Sequence, residues 1–249
     1  MSHKTIELKE GAFVISDAHF SPSRPELLDF IKAIHTKQLR PTQLILMGDI
    51  FDTLFGSINF TYTQNSEMIQ LINEISHEIE VIYLEGNHDF NLQKLFVNAV
   101  VVPIQMQPIM AKYKDKKVYL AHGDFDGAVF YKLYTALIRN PFILFILKYI
   151  DIISNHAILN SVDKHLQKKE DCNKFTGFEK FIHKRLKARF EADYFIEGHF
   201  HQNKSFYVGD MYYINLAAFA CNQRYFSIKY SKDNNILEEK IFLRENENG

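Results

Sequence analysis

Short apolar, β-branched runs alternate with helical stripes through the first third of the chain. Ala12 to Ser16, Gln43 to Met47 and Val81 to Leu84 have the length and composition of buried strands. Between the first two, Leu27, Ile31 and Ile34 recur at helical spacing, with Pro25 at an early-turn position. Met68, Ile72, Ile75 and Ile79 repeat that spacing between the second and third. Strand, helix, strand, helix, strand predicts βαβ units and a parallel sheet. Two further runs, Lys117 to Ala121 and Tyr194 to Glu197, read as strands. Ser205 to Val208, Met211 to Leu216, Tyr225 to Tyr230 and Ile236 to Leu243 follow, separated by Gly209-Asp210 and Asp233-Asn234-Asn235. They read as antiparallel strands completing a second sheet. The expectation is one α/β domain over 1–249, with a two-layer β core flanked by helices.

Residues 127–189 break this rhythm and read as a helical insertion. Its first part is apolar and aromatic, with Phe130, Tyr131, Leu133, Tyr134, Leu137 and Ile138 followed by Phe142 to Leu147. From Lys164 to Phe190 it carries nine Lys or Arg against three acids. Phe178, Ile182, Leu186 and Phe190 mark the buried stripe of the last helix, so its cations are expected on the opposite face.

Composition narrows the classes. A chain of 249 residues that is 47% hydrophobic can bury a sizeable core, and its formal charge of -1 argues against a generally basic nucleic-acid binder, so no stable nucleic-acid partner is expected. Met1 to Gly11 carries Lys4, Glu7, Lys9 and Glu10 where a secretory signal needs an apolar run, and Cys172 and Cys221 are the two cysteines. A cytoplasmic protein with both thiols free is the expectation. No run reaches the roughly 20 apolar residues that cross a bilayer. Phe142 to Leu147 comes nearest and is broken by Lys148 and Asp151, which fits a buried or membrane-surface helix.

The chemistry sits where the strand-like runs stop. Asp17-Ala18-His19, Gly48-Asp49-Ile50-Phe51-Asp52, Gly86-Asn87-His88-Asp89, His122-Gly123-Asp124 and Gly198-His199-Phe200-His201 occur in that order. Parallel sheets collect ligands at the carboxyl ends of their strands. Carboxylate, amide oxygen and imidazole without thiolate suit Mn, Fe or Zn, and Mn²⁺ is the expected ion. Two cations repel unless anionic ligands lie between them, and Asp49 is the candidate bridge. His35, His77, His156, His165 and His183 lie in helical patterns and read as surface or core residues.

In order and chemistry these five motifs resemble the calcineurin-like metallophosphoesterase superfamily. That resemblance implies the two-sheet fold, two divalent metal ions, and hydrolysis of a phosphate ester or anhydride by metal-activated water. It places Asp17, His19 and His201 with the bridging Asp49 at a first metal, and Asn87, His122 and His199 at a second. Asn87, His88 and His199 would also meet the substrate. His88 would donate toward the leaving oxygen, with Asp52 holding its imidazole in orientation.

Within the superfamily the chain looks most like UDP-2,3-diacylglucosamine pyrophosphohydrolases, on Ser16 to Phe20, Gly48 to Asp52, Asn87 to Phe90, Ala121 to Asp124 and the helical insertion before Gly198-His199. That family cleaves a nucleotide diphospholipid to UMP and an acylated sugar phosphate in the lipid A pathway. The resemblance implies a cap sheltering acyl chains and peripheral attachment to the cytoplasmic face of the inner membrane. An aromatic segment followed by a cationic one suits such a ligand, with Arg139, Lys169 and Lys174 among the candidate contacts. Many of those enzymes carry Arg where this chain has His88. Two other readings stay open: a nuclease or small-nucleotide phosphodiesterase on the same scaffold, and a non-catalytic interaction module that retains the fold.

Overall fold

A computed structural model describes residues 5–126, 129–157, 161, 172–229 and 235–242. Its strands in chain order are β1 (Ile6–Glu7), β2 (Phe13–Ile15), β3 (Gln43–Leu46), β4 (Leu54–Phe55), β5 (Glu80–Leu84), β6 (Asp89–Phe90), β7 (Val100–Val102), β8 (Ile109–Tyr113), β9 (Lys116–Ala121), β10 (Tyr194–Glu197), β11 (Lys204–Val208), β12 (Met211–Asn215), β13 (Arg224–Ile228) and β14 (Leu237–Ile241). The helices are α1 (Glu26–His35), α2 (Asn59–Gln64), α3 (Ser66–Glu78), α4 (Val129–Ile138), α5 (Pro141–Ile153), α6 (Phe178–Leu186) and α7 (Phe219–Asn222).

Alternation along the strands builds the layers. Phe13, Ile15, Leu44, Leu46, Val81 and Tyr83 face α1 and α3, packing on Leu27, Ile31, Met68 and Ile72. Their neighbours Val14, Ile45, Met47, Ile82 and Leu84 face the other way, onto Val118, Leu120, Tyr194, Ile196 and Ile214 of the second sheet. Beyond that sheet, Phe195 and Tyr213 meet Phe178, Ile182 and Leu186 of α6. The order is helices, sheet, sheet, helix, with every central strand buried on both faces.

One six-stranded sheet runs β14-β13-β2-β3-β5-β7 and the other β1-β8-β9-β10-β12-β11. Strands β2, β3, β5 and β7 are mutually parallel, as the βαβ pattern predicts. The late strands depart from expectation. Only β11 and β12 join the second sheet, and β12 lies parallel to β10. The β13–β14 hairpin instead extends the first sheet, antiparallel to β2. There Tyr225 packs on Phe13 and Phe30 while Phe226 and Ile228 fill the space between the sheets, so both faces of β13 are buried beside β2.

The two thiols expected to be free are joined: Cys172 and Cys221 form a disulfide across a sequence separation of 49. It ties the chain entering α6 to α7, a pairing of distant residues that no local pattern carries. The insertion yields α4, α5 and α6 among the described residues, while Lys164, His165, Lys168 and Lys169 lie outside them. No described helix is long and apolar enough to cross a membrane.

Candidate metal centre

Parallel pairing of β2, β3 and β5 brings their carboxyl ends to one edge, and β9 and β10 end beside it from the second sheet. Two clusters result: Asp17, His19 and His201, and Asp49, His122 and His199, each with ligand atoms within 4.8 Å of one another. His201 Nε2 is 3.0 Å from Asp17 Oδ1, and His122 Nε2 is 3.3 Å from Asp49 Oδ2. The rings of His122 and His199 stand 5.0 Å apart. A third grouping, His19, Asp52 and His88, adjoins the first and shares His19.

The loops that do this are strained. Asp17, His19, Asp49, His199 and His201 all have φ between 46° and 62°, the left-handed region that costs non-glycine residues energy and is common where function fixes the backbone. Surrounding contacts hold them there. The Asp89 carboxylate accepts from the backbone N–H of Asp49, Ile50 and Gly86 and from the Tyr83 hydroxyl, at 2.7 to 3.1 Å. It thus pins the Asp49 loop to the Asn87 loop. Gly198 is required by close approach: a Cβ there would fall 1.8 Å from Ser16 Oγ and 2.4 Å from Asp17 Oδ2.

The donor set fits two divalent cations. Burial favours a neutral Asp17, yet His201 beside it holds the carboxyl down at about 2. Asp49 is likewise held well below the usual range against burial, by His122, His88 and His19. Burial disfavours a charged His122, but Asp49 and Asp124 raise its pKa well above the ordinary histidine value, so without metal the proton on its ring serves as a counter-ion. Burial and that charge push His199 down to about 4. Two buried anions facing neutral or displaceable-proton imidazoles are what a cation pair needs. The ring geometry agrees: His122 Nδ1 donates to Met47 O at 2.9 Å, which turns Nε2 into the cluster, 3.3 Å from Asp49 Oδ2. Asn87 Oδ1 is buried without a hydrogen-bond partner among the described residues.

The expected pairing of His88 with Asp52 occurs through other atoms. His88 Nδ1 lies 2.9 Å from the Asp52 backbone carbonyl, whereas the Asp52 carboxylate lies 3.3 Å from His19 Nδ1. The cations of α6 do not all face outward either. Arg185 is buried in ion pairs with Asp126 and Glu197, because its planar fork meets both acids and the Gly123 carbonyl beneath the helix. Arg139 is buried as well, donating to Gly86 O at 2.8 Å with its guanidinium 5.2 Å from the Phe90 ring centroid. Asp89 and Glu197 support the site in roles that motif reading did not assign: Asp89 closes the Gly86-Asn87-His88-Asp89 motif and Glu197 immediately precedes Gly198-His199, and those positions were the available signal. Of the histidines read as helical, His35 pairs with Glu74, and His156 and His183 stack on Phe60 and Phe206, while His165 lies outside the described residues.

Strand ends carrying two Asp-His clusters between stacked sheets define a class, and comparison with known proteins agrees. The chain matches the model of the calcineurin-like phosphoesterase family over residues 12–203 and belongs to that family of metal-dependent phosphoesterases. It is similar to the UDP-2,3-diacylglucosamine hydrolase of Pseudomonas fluorescens, 24% identical over 76% of this chain and 78% of that protein. A protein of the same name from Blochmanniella pennsylvanica is 26% identical with the same coverage. Among solved structures, an archaeal phosphodiesterase aligns over 93% of this chain and 99% of its own at 14% identity, with a TM-score of 0.45.

Proposed function

We propose that this phosphoesterase uses two metal ions, Mn²⁺ by preference, to cleave the diphosphate of UDP-2,3-diacylglucosamine, releasing UMP and 2,3-diacylglucosamine 1-phosphate. The reading is carried by the joint presence of the two Asp-His clusters and of an apolar insertion whose helices leave large side chains in the open. Relatives bearing that activity in their name cover three quarters of the chain, which supports the substrate class.

Asp17, His19 and His201 would hold one ion, Asn87, His122 and His199 the other, with Asp49 between them. When bound, such ions supply a water that is nucleophilic at neutral pH and take up charge developing on the phosphoryl oxygens. The protein's own part is orientation and proton delivery. Asn87, His88 and His199 meet the phosphoryl oxygens. A carbonyl only accepts, so His88 Nδ1 carries a proton toward Asp52 O in either charge state. The proton that comes and goes therefore sits on Nε2, which points to the Asp49 side at 4.0 Å and serves the leaving oxygen.

The insertion would take the acyl chains. Phe142 is 70% exposed and Ile153 85%, with Leu133, Leu137, Phe145 and Ile146 also open to solvent. Apolar side chains at this density mark a lipid or partner surface, and burying acyl methylenes is worth about 0.8 kcal/mol each. Peripheral contact with the cytoplasmic face of the inner membrane would give the substrate a route in. The test is to compare UDP-2,3-diacylglucosamine with the deacylated UDP-sugar, following UMP release by the full chain in Mn²⁺. kcat/KM should favour the acylated substrate by about a hundredfold or more, since a few buried methylenes suffice for that ratio. Equal turnover of both would point to a small-nucleotide phosphodiesterase instead.

A further inference from the structure

Arg185 occupies a position that the hydrolytic site does not explain. It projects from α6 in the insertion, and its three nitrogens reach two segments, the Gly123–Asp126 loop and the end of β10. Nη2 donates to the Gly123 carbonyl at 2.8 Å, directly after His122. Nη1 donates to Glu197 Oε1 at 2.6 Å, at the end of β10 immediately before Gly198-His199. Nε donates to Asp126 Oδ1 at 2.7 Å. The guanidinium also lies 4.7 Å from the ring centroid of Phe125 and 5.2 Å from that of Phe200, which follows His199. Glu197 is completely buried and donates nothing to the clusters. An ion pair this deep adds little stability over apolar packing, so its geometry calls for another reason.

The reason lies in the two loops that it joins. The Gly198 N–H donates to His122 O at 2.8 Å, and a Cβ on Gly123 would fall 2.8 Å from His199 Cβ, so the two histidine loops already touch. Contact alone does not fix their spacing, whereas a rigid planar fork bonded to both sides does.

We propose that Arg185 is the positioning residue of the second metal: by clamping Gly123 and Glu197 it sets the distance between His122 and His199, and so couples occupancy of that ion to the docking of α6. None of the Arg185 bonds goes to Asp17, His19 or His201; the first cluster meets the clamped loop through the His199 N–H, which donates to the Asp17 carboxylate at 2.9 and 3.0 Å, so its ion should respond less than the second. The proposal rests on the two-ion reading above, and its test separates the two.

Metal-free full-length wild type, Arg185→Lys, Arg185→Met and Asp126→Asn are titrated with Mn²⁺. Bound metal is counted by elemental analysis, and electron paramagnetic resonance distinguishes isolated from exchange-coupled ions. Wild type should reach two coupled ions per chain; failure there sinks the two-ion reading itself. Arg185→Met, which keeps packing between the two phenylalanines, should bind one uncoupled ion with close to wild-type affinity and the second at least about tenfold more weakly, the scale of lost supporting contacts at metal sites. Arg185→Lys should fall between. Should Arg185→Met fail to fold, Asp126→Asn decides, since it removes the charge that seats the guanidinium and so loosens its hold on Gly123 and Glu197; a selective loss at the second ion is expected, and two tightly bound, coupled ions there would overturn the proposal. Two tightly bound, coupled ions in the Arg185 variants, or equal weakening of both ions in any folded variant, would overturn the positioning role.

Discussion

His88 Nδ1 lies 2.9 Å from the main-chain carbonyl of Asp52, while the carboxylate of the same aspartate turns away to His19. One residue thus serves two histidines through different atoms. The two side chains should consequently separate in function. His88→Ala should leave Mn²⁺ stoichiometry unchanged and slow an alkyl phosphodiester by about 10² to 10⁴, the usual range for a lost general acid. A diphosphate, with its better leaving group, should suffer much less. His88→Arg should keep diphosphate cleavage better than Ala does without rescuing the alkyl diester. Asp52→Ala should act on metal instead, weakening the ion at His19 about tenfold. Equal fractional loss on both substrates in both His88 variants would reduce His88 to a phosphate-positioning role.

Metal loading should release protons in a pattern set by the buried histidines. His122 has its pKa raised well above 6.5, so at pH 7 the metal-free ring is charged and must give up its proton to a cation. His199, at about 4, and Asp17, at about 2, are already deprotonated. Calorimetric titration with Mn²⁺ in buffers of different ionisation enthalpy should therefore report about one proton released from the second site. Apparent affinity there should rise as pH increases through neutrality. Asp17 has the opposite sign for folding: its depressed pKa contributes stability above the unfolded value of 3.8, lost as pH falls through about 2. Proton release of zero would mean that His122 is neutral before metal enters.

Gly198→Ala should be far more damaging than a methyl group suggests. The new Cβ meets Ser16 Oγ and Asp17 Oδ2, and the adjoining backbone cannot retreat because Gly198 N–H is bonded to His122 O. Displacing Asp17 should cost the first ion at least about tenfold in affinity, with about 1 to 3 kcal/mol of stability lost to overpacking. Metal counting and denaturant unfolding read the two effects separately.

The Cys172–Cys221 bond closes a loop of 49 residues, for which chain entropy gives about 4 kcal/mol as an upper figure. Guanidinium unfolding of Cys172→Ala/Cys221→Ala should show a loss of about 2 to 4 kcal/mol. Dithiothreitol should shift wild type to the same midpoint and leave the double variant where it is. A reductant effect on the double variant would place the sensitivity elsewhere.

Replacing Phe142, Phe145 and Ile153 together with Ser should remove the three most exposed apolar side chains of α5. Flotation with phosphatidylethanolamine–phosphatidylglycerol vesicles should carry wild type upward and leave this variant at the bottom. Turnover of a soluble chromogenic phosphodiester should be unchanged, because none of the three residues belongs to the Asp-His clusters. Full vesicle binding by the variant would remove α5 from the membrane reading.

Much of the chain was legible residue by residue because its signals are local. A strand buried on both faces announces itself through a continuous apolar, β-branched run, and the runs at Val14, Ile45 and Ile82 each placed their following motif at a sheet edge. The motifs at those strand ends hold the Asp and His residues that meet in the two clusters, while their division between two ions is what the family resemblance implied. The sequence by itself also determined that α5 would be apolar, since six of its residues are Phe, Ile or Leu before Lys148. Where it failed, the deciding contact joined segments far apart in the chain. Whether the β13–β14 hairpin extends one sheet or the other depends on which edge is open, and β2 offered it. The burial of Arg185 depends on Glu197 and Asp126 converging beneath α6, and the joining of Cys172 to Cys221 on the entry to α6 reaching α7. Periodicity fixes which side of an element is apolar, but a charge or a thiol finds its partner only when packing has chosen which elements meet, and that choice belongs to the tertiary structure.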